Sequence, residues 1–127
     1  MATNINSIMT HTVQIYHNPR CSKSRQTLAL LEENGIQPEV VLYLEQTPDA
    51  KTIQGLLEKL GINAQALLRK GEDAYKELGL SDPNLSDAYL IEQMVAHPKL
   101  IERPIVVKGN QAVLGRPPEN VLTLIQG

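Results

Sequence analysis

The pattern that most constrains this chain is a change of hydrophobic period within residues 13–43, from strand-like to helix-like and back. Val13-Gln14-Ile15-Tyr16 alternates and is β-rich, so it reads as a strand. His17-Asn18-Pro19-Arg20 follows, and Pro19, which has no N–H, ends the ladder. Ser22 to Glu33 is predicted to be a helix with Leu28, Leu30 and Leu31 on or near one face, stopped by Asn34-Gly35. Glu39 to Tyr43 predicts a second strand centred on Val40 and Val41. A strand–helix–strand run of this kind makes a parallel pair joined by a right-handed crossover.

The middle of the chain reads as helices. Thr47 is expected to cap a helix with Pro48 at its first position. Ile53, Leu56, Leu57 and Leu60 then recur on one face until Gly61. Shorter helices are expected over Asn63–Leu68 and Glu72–Leu78, the second closed by Gly79. Ser86 caps a longer one with Leu90, Ile91, Met94 and Val95 on its apolar face, ending before Pro98. The end returns to strands. Pro104–Val107 and Gln111–Leu114 flank Lys108-Gly109-Asn110, a hairpin signal. Pro117-Pro118-Glu119 opens a last helix carrying Val121, Leu122, Leu124 and Ile125. The class is α/β: thioredoxin-like β-α-β and β-β-α units with a helical insertion between them.

Residues 12–127 are expected to form a single domain of this kind, a fitting size for one core in a chain of 127 residues. With no Phe and no Trp, that core is made of Leu, Ile, Val, Ala and a few Tyr. Residues 1–11 are polar and aperiodic, and are expected to be a flexible tail without a secretory signal. A net charge of -2 gives no electrostatic case for nucleic acid or an anionic membrane. No apolar run approaches a membrane span. One cysteine forms no internal disulfide, which points to a reducing cytoplasm.

That cysteine, Cys21, stands where the first helix begins. Free backbone N–H groups and the helix dipole favour negative charge there, and Arg20, Lys23 and Arg25 are close in sequence. Comparable sites hold a thiol at a pKa of ~3.5–7.5. A buried structural cysteine would rarely sit among Pro19, Arg20, Ser22, Lys23 and Ser24. Ser24 occupies the place of a thioredoxin's second cysteine, so an outside thiol must resolve any mixed disulfide. Cys21 and Arg25 are too close in sequence for a phosphatase-type phosphate loop. Arg69, Arg103 and Arg116 fall at element ends, the last two directly before proline. They fit either separate surface charges or bidentate donors to a tetrahedral oxyanion. His17 tunes Cys21 or caps a loop. Neither metal-ligand spacing nor a Gly-rich nucleotide loop is present, so no bound cofactor or metal is expected.

Several stretches, in order, resemble the glutaredoxin-coupled arsenate reductases, which share a fold with the Spx-type regulators. They are Tyr16-His17-Asn18-Pro19-Arg20-Cys21 with Ser24-Arg25, Ala66-Leu67-Leu68-Arg69-Lys70, Tyr75-Lys76-Glu77-Leu78-Gly79-Leu80, Arg103-Pro104-Ile105-Val106-Val107 and Gly115-Arg116-Pro117-Pro118-Glu119. Ser22-Lys23 stands where arsenate reductases of this type carry Gly-Thr. The resemblance implies that Cys21 is the nucleophile forming a thioarsenate adduct and that Arg69, Arg103 and Arg116 surround the oxyanion. His17 and Arg25 flank the nucleophile, Ser24 hydrogen-bonds the thiolate, and Pro104 follows a cis peptide. Arsenate is then the substrate, glutathione the co-substrate, glutaredoxin the protein partner, and a monomer the working form. Two other readings stay open: an Spx-like regulator that binds RNA polymerase, and a glutathione-dependent thiol reductase with a different substrate.

Overall fold

The computed structural model describes residues 12–126; the tail expected over 1–11 lies outside the described residues. Its strands and helices are β1 (Val13–Tyr16), α1 (Ser22–Glu33), β2 (Glu39–Val41), α2 (Ala50–Leu60), α3 (Ala64–Leu67), α4 (Asp73–Glu77), α5 (Asp87–Ala96), β3 (Ile105–Lys108), β4 (Gln111–Leu114) and α6 (Asn120–Gln126), with a 3₁₀ turn over Pro98–Leu100 between α5 and β3. The chain forms two compact units. Among the described residues, one comprises those from Thr12 to Leu42 together with those from Arg103 to Gln126, and the other comprises Tyr43–Glu102.

The first unit is a four-stranded sheet in the order β2-β1-β3-β4. β1 runs parallel to β2 and antiparallel to β3, and β3 to β4 is a hairpin. The expected parallel pair of β1 and β2 is therefore present. Val13 and Ile15 from β1, Leu31 from α1, Val106 from β3, and Val121 and Leu124 from α6 form its core. Each is 5 % exposed or less, and burying a side chain of this size contributes ~1.5–3 kcal/mol. Lys108 pairs with Gln111, so the hairpin loop is Gly109-Asn110, with Gly109 at a positive φ of 62°, as two-residue loops require. The second expected strand is shorter than its β-rich sequence suggests. β2 is an edge strand, Val40 is exposed, and Tyr43 lies beyond its end, buried in the second unit.

The second unit is helical. Ile53, Leu56 and Leu57 of α2 and Leu90, Ile91 and Met94 of α5 are buried, and both α2 and α3 pack on α5. Ser86 caps α5 by accepting the Tyr89 N–H, as its position predicts. The cap of α2 is different from the one expected. Asp49, not Thr47, accepts the Thr52 N–H at 2.8 Å, and α2 begins two residues past Pro48. A carboxylate beside the N-terminal dipole is the stronger acceptor.

One close approach in the first unit bears directly on the active end of α1. A Cβ placed on Gly115 would lie 2.5 Å from Thr27 Oγ1 and 2.8 Å from Pro104 Cγ. Thr27 is fully buried, and its hydroxyl lies 2.8 Å from the Lys23 carbonyl and 3.3 Å from the Gly115 carbonyl. Gly115 N–H in turn donates to Pro104 O at 2.9 Å. Gly115→Ala is expected to lower stability by ~1–3 kcal/mol through overpacking, measured as a shift in the urea midpoint. Thr27→Ala in the same chain should recover part of that loss, because it removes both threonine contacts. A Gly115→Ala protein as stable as the parent would show that this approach does not constrain the fold.

Candidate active site

Cys21 occupies the N-cap position of α1, with extended backbone at φ -96° and ψ 123°. Its N–H donates to Asn18 O at 3.0 Å, and its carbonyl accepts the Arg25 N–H at 3.0 Å. Serine, threonine, asparagine or aspartate usually stands here, with a side-chain oxygen that accepts from the second or third helical N–H. In this chain those N–H groups belong to Lys23 and Ser24, and both face the sulfur and favour its charged form. The sulfur makes no close side-chain cap hydrogen bond with them.

Two arginines meet the same sulfur. Arg116 Nη1 lies 4.0 Å from Cys21 Sγ and also donates to Arg103 O at 3.1 Å. Arg103 acts on the sulfur through its charge and a side-chain hydrogen bond. Partial burial pushes the thiol pKa up, and this is the largest single influence. The Ser24 N–H, the Arg103 charge and hydrogen bond, and the Lys23 N–H together outweigh it, so the pKa falls below that of an ordinary thiol. The direction matches the sequence-based expectation, but the cations differ. Arg20, Lys23 and Arg25 are exposed, and none of their side-chain charges is among the influences on Cys21. Arg25 instead donates from Nη1 to Pro19 O at 2.9 Å and so braces the loop.

Beneath the sulfur lies a neutral polar network. Ser24 is fully buried and His17 is 6 % exposed, with His17 Nδ1 and Ser24 Oγ 2.6 Å apart. Asn18 N–H donates to the same serine oxygen at 3.0 Å, which leaves the hydroxyl proton to point at Nδ1 of a neutral imidazole. Burial, then the charge of Arg25, lowers the His17 pKa. The Ser24 hydroxyl is thus engaged by His17 and Asn18, and it is the backbone N–H of Ser24 that faces Cys21. Pro104 is buried and the Arg103–Pro104 peptide is cis, as is Arg116–Pro117.

The structure therefore brings Cys21, Arg103, Arg116, His17, Ser24, Arg25 and Pro104 into one unit. Arg69 belongs to the other unit, where its guanidinium meets Glu72 and Glu102. The sequence reading missed two positioning residues. Asn18 Oδ1 accepts the Arg20 N–H at 3.0 Å, a turn that the Asn-Pro pair could have signalled. Asn120 Nδ2 donates to Leu114 O at 3.1 Å and to Arg116 O at 3.2 Å, pinning the loop that carries Arg116. Nothing in the local sequence distinguishes Asn120 from an ordinary helix-start residue.

The rate of Cys21 alkylation by iodoacetamide, followed against pH, is expected to have its midpoint below the ~8.5 of a free thiol. Arg103→Gln should move that midpoint upward, and Arg20→Gln should leave it in place. The opposite order would return the activation to the loop cations.

Comparison with known proteins agrees with this geometry. Residues 16–124 match the ArsC family. The chain is 60 % identical over 118 residues to the uncharacterized protein YfgD of Escherichia coli (strain K12), covering 92 % of this chain and 99 % of that one. It is 49 % identical over 110 residues to an arsenate reductase of Neisseria meningitidis serogroup A, covering 86 % and 94 %. Among solved structures, the arsenate reductase from Vibrio cholerae superposes with a TM-score of 0.86 at 55 % identity, covering 89 % of this chain and 97 % of that one. Family match, identity and fold agree: the chain belongs to the ArsC family.

Proposed function

We propose that this protein is an arsenate reductase that takes its electrons from glutathione and glutaredoxin. The observation that carries the reading is a single activated thiol faced by backbone N–H groups and by two guanidinium groups. The arsenate reductases among its relatives supply the substrate.

The chemistry follows from the parts. The Cys21 thiolate attacks arsenic, a sulfur–arsenic bond forms, and one oxygen leaves as water or hydroxide. Arg103 and Arg116 stabilise charge on the arsenic oxygens as the bond forms. Glutathione supplies the second sulfur. Two thiols are oxidised to one disulfide while arsenic gains the two electrons and departs as arsenite. Glutaredoxin then removes the glutathione. With Cys21 as its only cysteine, the chain must draw on such an external supply, and we place the reaction in the cytoplasm, where reduced glutathione is abundant. Among the described residues no helix is long and apolar enough to cross a membrane. A polymerase-binding regulator would have no use for guanidinium groups aimed at the sulfur.

Cys21→Ser is expected to abolish arsenate reduction, because a serine hydroxyl is not ionised near neutral pH and cannot relay electrons. Arg103→Lys keeps the charge but loses the planar pair of donors, and should cost ~2–4 kcal/mol of transition-state stabilisation in kcat/KM for arsenate. Wild-type protein that turns over no arsenate with glutathione and glutaredoxin, yet binds RNA polymerase, would replace the enzyme reading with the regulator.

A further inference from the structure

We infer that Asn120 is a positioning residue for anion binding: acting through the backbone on either side of Gly115, it fixes where Arg116 presents its guanidinium to the oxyanion. The inference rests on the reading of Arg116 as an oxyanion ligand.

The loop between β4 and α6 is short of donors of its own. Pro117 and Pro118 have no N–H. The Asn120 N–H, which in a continuing α-helix would reach back four residues to Arg116 O, closes instead on Pro117 O at 3.0 Å. Arg116 O is met by the asparagine side chain, whose Nδ2 donates to it at 3.2 Å and to Leu114 O at 3.1 Å. One amide thus holds the residues on both sides of Gly115. Gly115 itself is held by other elements: its N–H donates to Pro104 O at 2.9 Å, and its carbonyl accepts from Thr27 Oγ1 at 3.3 Å. The backbone that launches the Arg116 side chain is therefore tied to β3, α1 and α6.

A long, flexible side chain reaches a fixed point only from a fixed base. At its far end, Arg116 Nη1 donates to Arg103 O at 3.1 Å and lies 4.0 Å from Cys21 Sγ. A guanidinium held in this way need not be ordered when the anion arrives, and such preorganised donors are the effective ones in oxyanion sites. Asn120 is exposed, so removing its amide loosens the loop and leaves the core of the unit as it is.

The test is a double-mutant cycle on Asn120→Ala and Arg116→Gln, with folding checked by the urea midpoint. Inorganic phosphate is the probe. The first readout is the phosphate concentration that half-protects Cys21 from iodoacetamide, taken well above each variant's alkylation midpoint so that thiol acidity does not enter; it needs no turnover. The second is KM for arsenate. Asn120→Ala is expected to raise both about fivefold, short of the ~100-fold that a 1 Å misplacement can cost, because water replaces an exposed amide at the two carbonyls. In the Arg116→Gln background the same substitution should change phosphate protection by less than about twofold, since a residue that acts through Arg116 then has nothing to position. Asn120→Ser, which keeps a residue suited to a helix start but loses the two-pronged amide, takes the place of alanine in the cycle if the alanine variant does not fold. An equal loss in both backgrounds, or no loss beside intact Arg116 while Arg116→Gln weakens phosphate, overturns the proposal and leaves Arg116 as the oxyanion ligand. Arg116→Gln that changes neither phosphate protection nor arsenate KM instead removes the oxyanion role of Arg116, and the proposal falls with it.

Discussion

The close approach of Gly115 to Thr27 and Pro104 is the contact on which the active end of the first unit depends. It joins the first turns of α1 to the ends of β3 and β4, with only a hydrogen atom where a side chain would otherwise stand. The sulfur sits at the head of α1, Arg103 immediately precedes Pro104, and Arg116 immediately follows Gly115. The two arginines therefore enter from the two strands of one hairpin, and the helix delivers the nucleophile to them. Thr27 seals the join by sharing its proton between a carbonyl of its own helix and the carbonyl of Gly115. A methyl group at Gly115 would push on this join before it disturbed anything else in the core.

The charges of α1 run against the arrangement that stabilises a helix. Acidic residues near the N-terminus and basic ones near the C-terminus complement the macrodipole. Here the first turn carries no acid and the last turn no base; instead Lys23 and Arg25 stand near the start and Glu32 and Glu33 at the end. The positive end of the dipole is thereby left to the Cys21 sulfur, whose charged form it favours. Below it, the buried His17–Ser24 pair adds rigidity without adding charge, since burial and Arg25 both favour the neutral imidazole. A protonated histidine in that position would require desolvating a cation beneath a site already rich in arginine.

The regular elements were legible because each has a periodic signal that packing reinforces. The β-α-β run, the hairpin at Gly109-Asn110 and the apolar faces of α2 and α5 all follow from spacing alone. Where the sequence misled, a local competitor won. Asp49 outcompeted Thr47 as a cap, and the β-rich Val41-Leu42-Tyr43 run ended early because β2 lies at the sheet edge with a partner on one side only. Cys21 was legible as a reactive thiol from its helix-start position, but the origin of its activation was not. Neighbours in sequence suggested Arg20, Lys23 and Arg25, whereas side chains at a helix start splay into solvent and the effective cation arrives from the far end of the chain. Long-range convergence of this kind leaves no mark in a local window. Asn120, which holds the Arg116 loop through two carbonyls, is hidden for the same reason.

The electron balance explains why the sulfur is not enclosed. Reduction of an oxyanion by two electrons needs two sulfurs, and this chain contains one. In the mechanism proposed above, a second thiol must reach the adduct, and a third must later reach the sulfur to regenerate it. A sealed cage would maximise the electrostatic grip of the arginines by lowering the local dielectric, but it would also exclude the reductant. The observed compromise is a half-buried sulfur beside an exposed Arg116. Burial is deep enough to be the largest influence on the thiol, and it raises the pKa; two backbone N–H groups and Arg103 are what it takes to reverse the sign. Accessibility, cap and cation are therefore one solution to a single constraint, which is that the nucleophile must remain both charged and reachable.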